Sequence, residues 1–341
     1  MANSRSKTAP ILLMILFLNV ISANSQPTCN WDPEKKEMEF SMEDLSGILN
    51  CDINRKKGKS HHFSKVIHKP SGLMISPDDA RMKHAGMLNF FRVLVEGGYL
   101  SELRVTEAQI EPEDDGITMI FSPSIRLQAK IKVKFTFKEP NIIDMDLWVE
   151  TLTNYPKFEI LLSAYLAPGF ESGVYVAEKE FGPNVAEQIR LTDQAMIHGI
   201  WPFFPRDEAG ANLLTDGRHQ KGRWFWRMAI GRRYGMPLAF FSNDGVDAIL
   251  MGKPEDVYAV GATYKGDAGD NVADHRSIYL SLFGEDLKAG EGRHTQMRMI
   301  VGNYGSNPEK HQELYQTFIN EVKEIPGSFQ INPEVDNMHE P

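Results

Sequence analysis

The strongest pattern in the chain is the run Ile125, Leu127, Ala129, Ile131, Val133, Phe135, Phe137, which alternates with Arg126, Gln128, Lys130, Lys132, Lys134, Thr136 and Lys138. Successive side chains of a strand point to opposite faces, so this run predicts a long strand with one face on a core and one in water. Glu139-Pro140-Asn141 turns the chain, and Ile143, Met145, Leu147 and Val149 carry the alternation back as an antiparallel hairpin. Further strand-like pieces fall at 90–96, 101–110, 117–122, 158–166, 223–230, 237–242, 246–251, 257–263, 276–283 and 294–302. Clusters of Gly, Pro, Asn and Asp separate them, not amphipathic helices, which predicts an antiparallel all-β body over 85–305. One helix is predicted over 306–327: Asn307 caps it, Pro308 suits its first turn, Leu314, Phe318 and Val322 share a face, and Pro326 stops it. Residues 328–341 read as a disordered tail. Residues 52–70, with six Lys or Arg and three His, read as a solvated basic loop within an N-terminal segment, 26–84.

The extreme N-terminus differs. Arg5 and Lys7 precede an apolar run from Ile11 to Ile21, then Ser22-Ala23-Asn24-Ser25-Gln26. That order matches a secretory signal over 1–25, cut before Gln26, and places the protein as secreted or periplasmic. The run falls short of the roughly 20 residues that cross a hydrocarbon core, so no membrane span is expected. Cleavage would leave 35 basic against 46 acidic residues, a formal charge of −11. An oxidising compartment would let the only two cysteines, Cys29 and Cys51, close a disulfide; two free buried thiols are the alternative.

Composition bounds the function. With 42% hydrophobic and 24% charged residues over 341 positions the chain is globular, and a net charge of −9 repels phosphate backbones, which disfavours nucleic acid as a partner. No Gly-rich phosphate loop, His-Glu-x-x-His or Gly-x-Ser-x-Gly motif occurs, and no cofactor is implied.

Three segments together resemble the galactose-mutarotase-like superfamily. They are the hairpin running into Thr151-Leu152-Thr153-Asn154, the stretch Ser163-Ala164-Tyr165-Leu166-Ala167-Pro168-Gly169-Phe170, and Leu287-Lys288-Ala289-Gly290-Glu291 leading into a final strand. The resemblance implies a large two-sheet antiparallel β-supersandwich, closed here by the C-terminal helix, that binds or processes carbohydrate. It also implies that Tyr165 stands where mutarotases carry their catalytic histidine, so simple epimerase chemistry is not expected, because a phenol of ordinary pKa near 10 exchanges protons poorly at pH 7.

The chemistry is expected in 198–227, which holds three of the five tryptophans. A sugar offers C–H faces to aromatic rings and hydroxyls to charged partners, so His198, Trp201, Arg206, Asp207, Asp216 and Arg218 are candidate substrate-binding residues. Tyr165 and His219 are candidate catalytic bases, with Arg206 or Arg218 holding the carboxylate of an acidic polysaccharide in a lyase or hydrolase reaction. Trp224 and Trp226 alternate as the inward side of a strand. Asp267, Asp270 and Asp274 share a loop that could ligate calcium but lacks the EF-hand spacing, so no metal is assigned. The other class of function open to such a chain is a non-catalytic structural or interaction module of the cell envelope.

Overall fold

A computed structural model describes residues 26–54, 59–76, 86–167, 169–177, 186–191, 200–220, 227–262 and 277–322. The predicted signal segment, the calcium-loop residues, His198, Trp224, Trp226 and the C-terminal tail lie outside them. The chain begins with five short strands, β1 (Thr28–Asp32), β2 (Glu37–Ser41), β3 (Leu45–Asn50), β4 (His62–His68) and β5 (Leu73–Met74), which form one antiparallel sheet in sequence order. The expected loop over 52–70 thus contains a strand. Phe63, Val66 and His68 are its buried positions, Lys65 sits exposed between them and Lys69 follows in the turn.

The body follows as β6 (Asn89–Val95), β7 (Gly98–Ser101), β8 (Gln109–Glu113), β9 (Gly116–Phe121), β10 (Ala129–Lys138), β11 (Ile142–Thr151), β12 (Tyr155–Tyr165), β13 (Glu171–Ala177), β14 (Ala186–Leu191), β15 (Ile200–Pro205), the helix α1 (Glu208–Thr215), β16 (Arg227–Ile230), β17 (Tyr234–Asn243), β18 (Val246–Gly252), β19 (Val257–Ala262), β20 (Ser277–Leu287), β21 (Gly292–Asn303) and α2 (Pro308–Glu321). Nine strands form one sheet in the order β14-β13-β17-β18-β21-β11-β10-β9-β8, and seven form another, β16-β15-β19-β20-β12-β6-β7. All pairings are antiparallel except β15 with β16. The architecture is the expected all-β sandwich with a C-terminal helix, and the N-terminal segment adds a third sheet.

The hairpin behaves as its pattern predicts. Ile131, Val133, Phe135 and Phe137 of β10 and Ile143, Met145, Leu147 and Val149 of β11 are buried, while the lysines between them are not. The strand starts at Ala129 and not at Ile125, whose side chain is 98% exposed in the preceding loop. Residues 101–110 are likewise interrupted, by a 3-10 turn at Leu103–Val105. The inward faces of both large sheets share one core with the N-terminal sheet, where Phe40 stacks on Phe137 at 4.5 Å and Phe63 meets Phe135 edge-on at 5.1 Å.

The disulfide is not formed: Cys29 and Cys51 are free thiols. Register explains why. Cys29 lies across from Phe40, which lies across from Gly47, whereas Cys51 is four residues further along. The two are separated by two strand spacings and roughly 13 Å of strand length, far beyond the ~7 Å Cα separation a disulfide tolerates.

Helix α2 docks on the outer face of the nine-stranded sheet. The Asn307 side chain accepts from the amides of Glu309 and Lys310, as a cap should. Its apolar stripe is thin, with Phe318 and His311 its only fully buried side chains. His311 compensates by hydrogen bonding. Its Nε2 lies 3.0 Å from Asp247 Oδ2 and its Nδ1 2.9 Å from the Tyr175 hydroxyl. A carboxylate only accepts, so Nε2 donates to Asp247 and Nδ1 accepts from Tyr175 in the neutral ring. Asp247 also accepts from the Ser306 amide at 2.6 Å and hydroxyl at 3.2 Å.

Removing that carboxylate would strand three buried donors, each worth about 1–3 kcal/mol. Asp247→Ala is expected to cost about 3 kcal/mol or more in urea denaturation, and a loss under about 1 kcal/mol would show that the contact does not hold the helix.

Candidate functional site

The central strands of the seven-stranded sheet are buried along almost their whole length, as strands covered on both faces must be. One face meets the sandwich core. Register identifies the residues of the other: Asn89 and Arg92 on β6 lie beside Ser163 and Leu161 on β12, Ser163, Leu161 and Tyr165 beside Tyr279, Ser281 and Ser277 on β20, and Tyr279 and Ser281 beside Gly261 and Ala259 on β19. Phe203 on β15 lies opposite Gly261, where any Cβ would come within 2.6 Å of the Phe203 ring. The strap 206–220 covers this face, packing Leu213 and Leu214 of α1 on Leu161, Tyr258, Ala259 and Tyr279.

Two bulges shape the face. In β6 an extra residue between Phe90 and Arg92 puts Phe91 and Arg92 on the same side. In β20 the register shifts opposite Glu159, where Phe283 and Gly284 both have φ of 71°. Gly284 is required there: a Cβ would lie 2.6 Å from Leu213 and 2.7 Å from Tyr258.

Of the residues expected to form a site, Tyr165 and Trp201 each meet the ring of Tyr279, while Arg218 and His219 meet Glu159 further along β12, with Asp216 beside Arg218. Arg218 and His219 form a 3-10 turn with Gln220 that plugs the sheet. Arg218 is fully buried and donates to Asp216 Oδ2 at 2.8 Å, to Glu159 Oε2 at 3.2 Å and to the Lys157 carbonyl at 2.8 Å. Burial works against its charge, but the hydrogen bonds to Asp216 and the charge of Glu159 outweigh that and raise its pKa. Arg218 is therefore spent on internal partners and does not present a guanidinium to a sugar carboxylate. His219 Nε2 lies 3.6 Å from Glu159 Oε2. Desolvation lowers the His219 pKa in spite of that carboxylate, so the ring is neutral at pH 7.

Arg206 and Asp207 sit apart. Trp201 lies on the strand β15, and Asp207 is the N-cap of α1, accepting from the Gly210 amide at 2.8 Å. Arg206 pairs with Asp207 at 2.8 Å and donates to the Glu255 carbonyl at 2.7 Å, so both fix the start of the strap. Trp201, 9% exposed, meets Tyr279 edge-on at 6.0 Å. Tyr165, 4% exposed, ends a hydroxyl chain in which Ser277 donates to Tyr279 at 2.8 Å and Tyr279 to Tyr165 at 3.3 Å.

The sequence reading missed Glu159, Arg92, Arg104 and Tyr279. Arg104 lies 4.0 Å and Arg92 4.7 Å above the Phe91 ring, and Arg92 5.9 Å from the ring of Tyr99, which is 37% exposed. The available signal was a single charge inside an apolar strand: Arg92 within Asn89–Val95, and Glu159 within Phe158–Leu162.

No protein-family model matches the sequence, and no curated protein does. Among solved structures, a galactose mutarotase related enzyme from Lactobacillus acidophilus is similar at 11% identity, over 79% of this chain and 99% of that one, with a TM-score of 0.46. An α-galactosidase from Geobacillus stearothermophilus is similar at 11% identity, over 82% and 41%, with a TM-score of 0.47. A heparan sulfate lyase mutant from Pedobacter heparinus is similar at 6% identity, over 81% and 36%, with a TM-score of 0.43. The chain thus spans less than half the length of the last two. The likeness is one of strand arrangement; the site is read from its own residues.

Breaking a buried ion pair by removing one partner costs about 3–5 kcal/mol, because the other charge is left uncompensated. Arg218→Met is expected to lose that much in chemical denaturation, and Glu159→Gln in the same chain to restore part of it; strictly additive losses would contradict the pairing. The histidines set a pH dependence. His219, like His61 and His68, has its folded pKa depressed by burial below the usual 6.5, so the unfolded chain takes up protons first on acidification. Stability is complete above about pH 6.5 and falls below it. The thermal midpoint should drop between pH 7.5 and 5.5, and less so in His219→Gln.

Proposed function

We propose that the protein is exported and binds carbohydrate on the strap-covered face of the seven-stranded sheet, at the corner formed by Phe91, Tyr99, Tyr165, Trp201 and Tyr279 with Arg92 and Arg104. The observation that carries this reading is the interleaving of aromatic rings and guanidinium groups on one sheet face, with Tyr99 open to solvent. Rings stack on the C–H faces of a sugar, and guanidinium forks match paired hydroxyls or a carboxylate. Two such forks favour an acidic polysaccharide over a neutral one. The export half of the proposal is supported by the charged and apolar pattern of residues 5–26 alone.

A second reading, a non-catalytic module of the cell envelope, is favoured by one specific observation: His219, Glu159 and Arg218 are sealed, with side chains at most 1% exposed. Binding without turnover is compatible with both readings.

Affinity electrophoresis and calorimetry with neutral and uronic-acid oligosaccharides test the proposal. Retention is expected for the uronic-acid series. Tyr99→Ala and Trp201→Ala should each weaken it about tenfold or more, the scale of an aromatic anchor. A folded protein retained by no polysaccharide would remove the proposal. Tyr165→Phe divides the roles of that residue: unchanged binding with unchanged turnover assigns it to stacking, whereas loss of unsaturated-uronate absorbance by about 100-fold assigns it to proton transfer.

A further inference from the structure

His61 joins the N-terminal sheet to the turn that carries Arg104. It stands just before β4, and it bonds the 3-10 turn at Leu103–Val105 twice. Its amide donates to the Arg104 carbonyl at 2.7 Å, and its Nε2 lies 2.9 Å from the Thr106 carbonyl. A carbonyl only accepts, so Nε2 carries the ring proton and donates it. The ring is buried and meets Phe121 of β9 edge-on at 5.8 Å.

That turn needs a tether. Arg104 and Arg92 both lie over the Phe91 ring, and like charges so placed repel. Burial chiefly lowers the Arg92 pKa, and the Arg104 charge lowers it further against the opposing charge of Glu102. Glu102 offsets part of the repulsion, with Oε2 3.4 Å from Arg104 Nε. A loosened turn would relieve the rest by carrying Arg104 away from Phe91.

The tether is sensitive to acid. His61 Nδ1 is buried without a hydrogen-bond partner, so a proton added there creates a buried donor and a buried charge. Burial lowers the His61 pKa most, ahead of the Thr106 hydrogen bond and Asp52, which raise it, and Lys36, which lowers it. The turn's own Glu102 and Arg104 pair with each other, and the adjacent His62 ring bonds Ser60. The held ring therefore protonates below the usual 6.5, and a released ring takes the proton first. The hold is complete above about pH 6.5 and weakens below it.

We propose that His61 is a positioning residue of the candidate site: it fixes the turn that places Arg104 over Phe91 for an anionic sugar group, and releases that turn in acid. The sugar group rests on the carbohydrate reading above; the hold on the turn does not.

Hydrogen exchange at the Val105 and Thr106 amides, which donate within the turn to Glu102 and Leu103, tests the hold, and calorimetry with a uronic-acid oligosaccharide tests its effect on binding. Protection of these amides, corrected for intrinsic exchange, should fall about tenfold between pH 7.5 and 5.5, the ratio set by a released ring of pKa 6.5. His61→Gln keeps a donor for Thr106 but does not titrate, so its protection should not vary with pH. His61→Leu lacks the donor. At pH 7.5 its protection and sugar affinity should each fall about fivefold, and Gln should recover most of both. Full protection in His61→Leu, or equal pH slopes in the parent and His61→Gln, overturns the proposal. Lost protection with undiminished sugar affinity overturns it too. If His61→Leu does not fold, the parent and His61→Gln slopes decide. Lost protection in a chain that no polysaccharide binds rejects the carbohydrate reading and keeps the hold; full protection with intact sugar binding does the reverse.

Discussion

The contact between Arg218 and Glu159 governs the less conventional half of this molecule. A seven-stranded sheet needs cover on both faces, and the nine-stranded sheet supplies only one. The other is closed by a strap of fifteen residues whose buried apolar contribution is Leu213 and Leu214. That is little area to hold a segment against a sheet. The strap is therefore fixed electrostatically, by a charge at its end that enters the sheet and meets a carboxylate there. Buried pairs of this kind add little net stability compared with an apolar substitute, yet they tolerate no other arrangement, because either charge alone is costly. The geometry of the candidate site inherits that precision.

The two bulges serve the same face by different means. A strand with strict alternation can offer only every second residue to one side. The extra residue in β6 escapes this limit and lets Phe91 and Arg92 stand together, which a regular strand would forbid. The irregularity in β20 removes a side chain where α1 and Tyr258 approach most closely. Both lie on strands flanking β12, so this strand carries Glu159 and Tyr165 into an environment prepared from either side.

How much of this was legible in the sequence depended on whether a single strand carried the information. The β10–β11 hairpin and its buried face were readable because hydrophobic alternation is local. The cap and first turn of α2 were readable for the same reason. The strand β4 was hidden because its solvent-facing positions made the composition look like a loop. The site was harder. Trp201, Arg206, Asp207, Arg218 and His219 are close in sequence, and proximity suggested one groove. In the fold a strand end, a helix cap and a 3-10 turn separate them. Their true neighbours, Glu159, Arg92 and Tyr279, come from strands adjacent only after pairing. No period or spacing encodes that adjacency.

The free thiols carry a consequence for durability. Burial pushes the Cys51 thiol up to about 12, and burial together with Asp115 and Asp114 pushes that of Cys29 up to about 11. Since the thiolate is the reactive species, fewer than about one molecule in a thousand carries a nucleophilic sulfur at neutral pH. Deprotonation, the step that precedes thiol exchange, is disfavoured at both positions. The two sulfurs serve as compact packing atoms, Cys51 within the core and Cys29 partly buried against it.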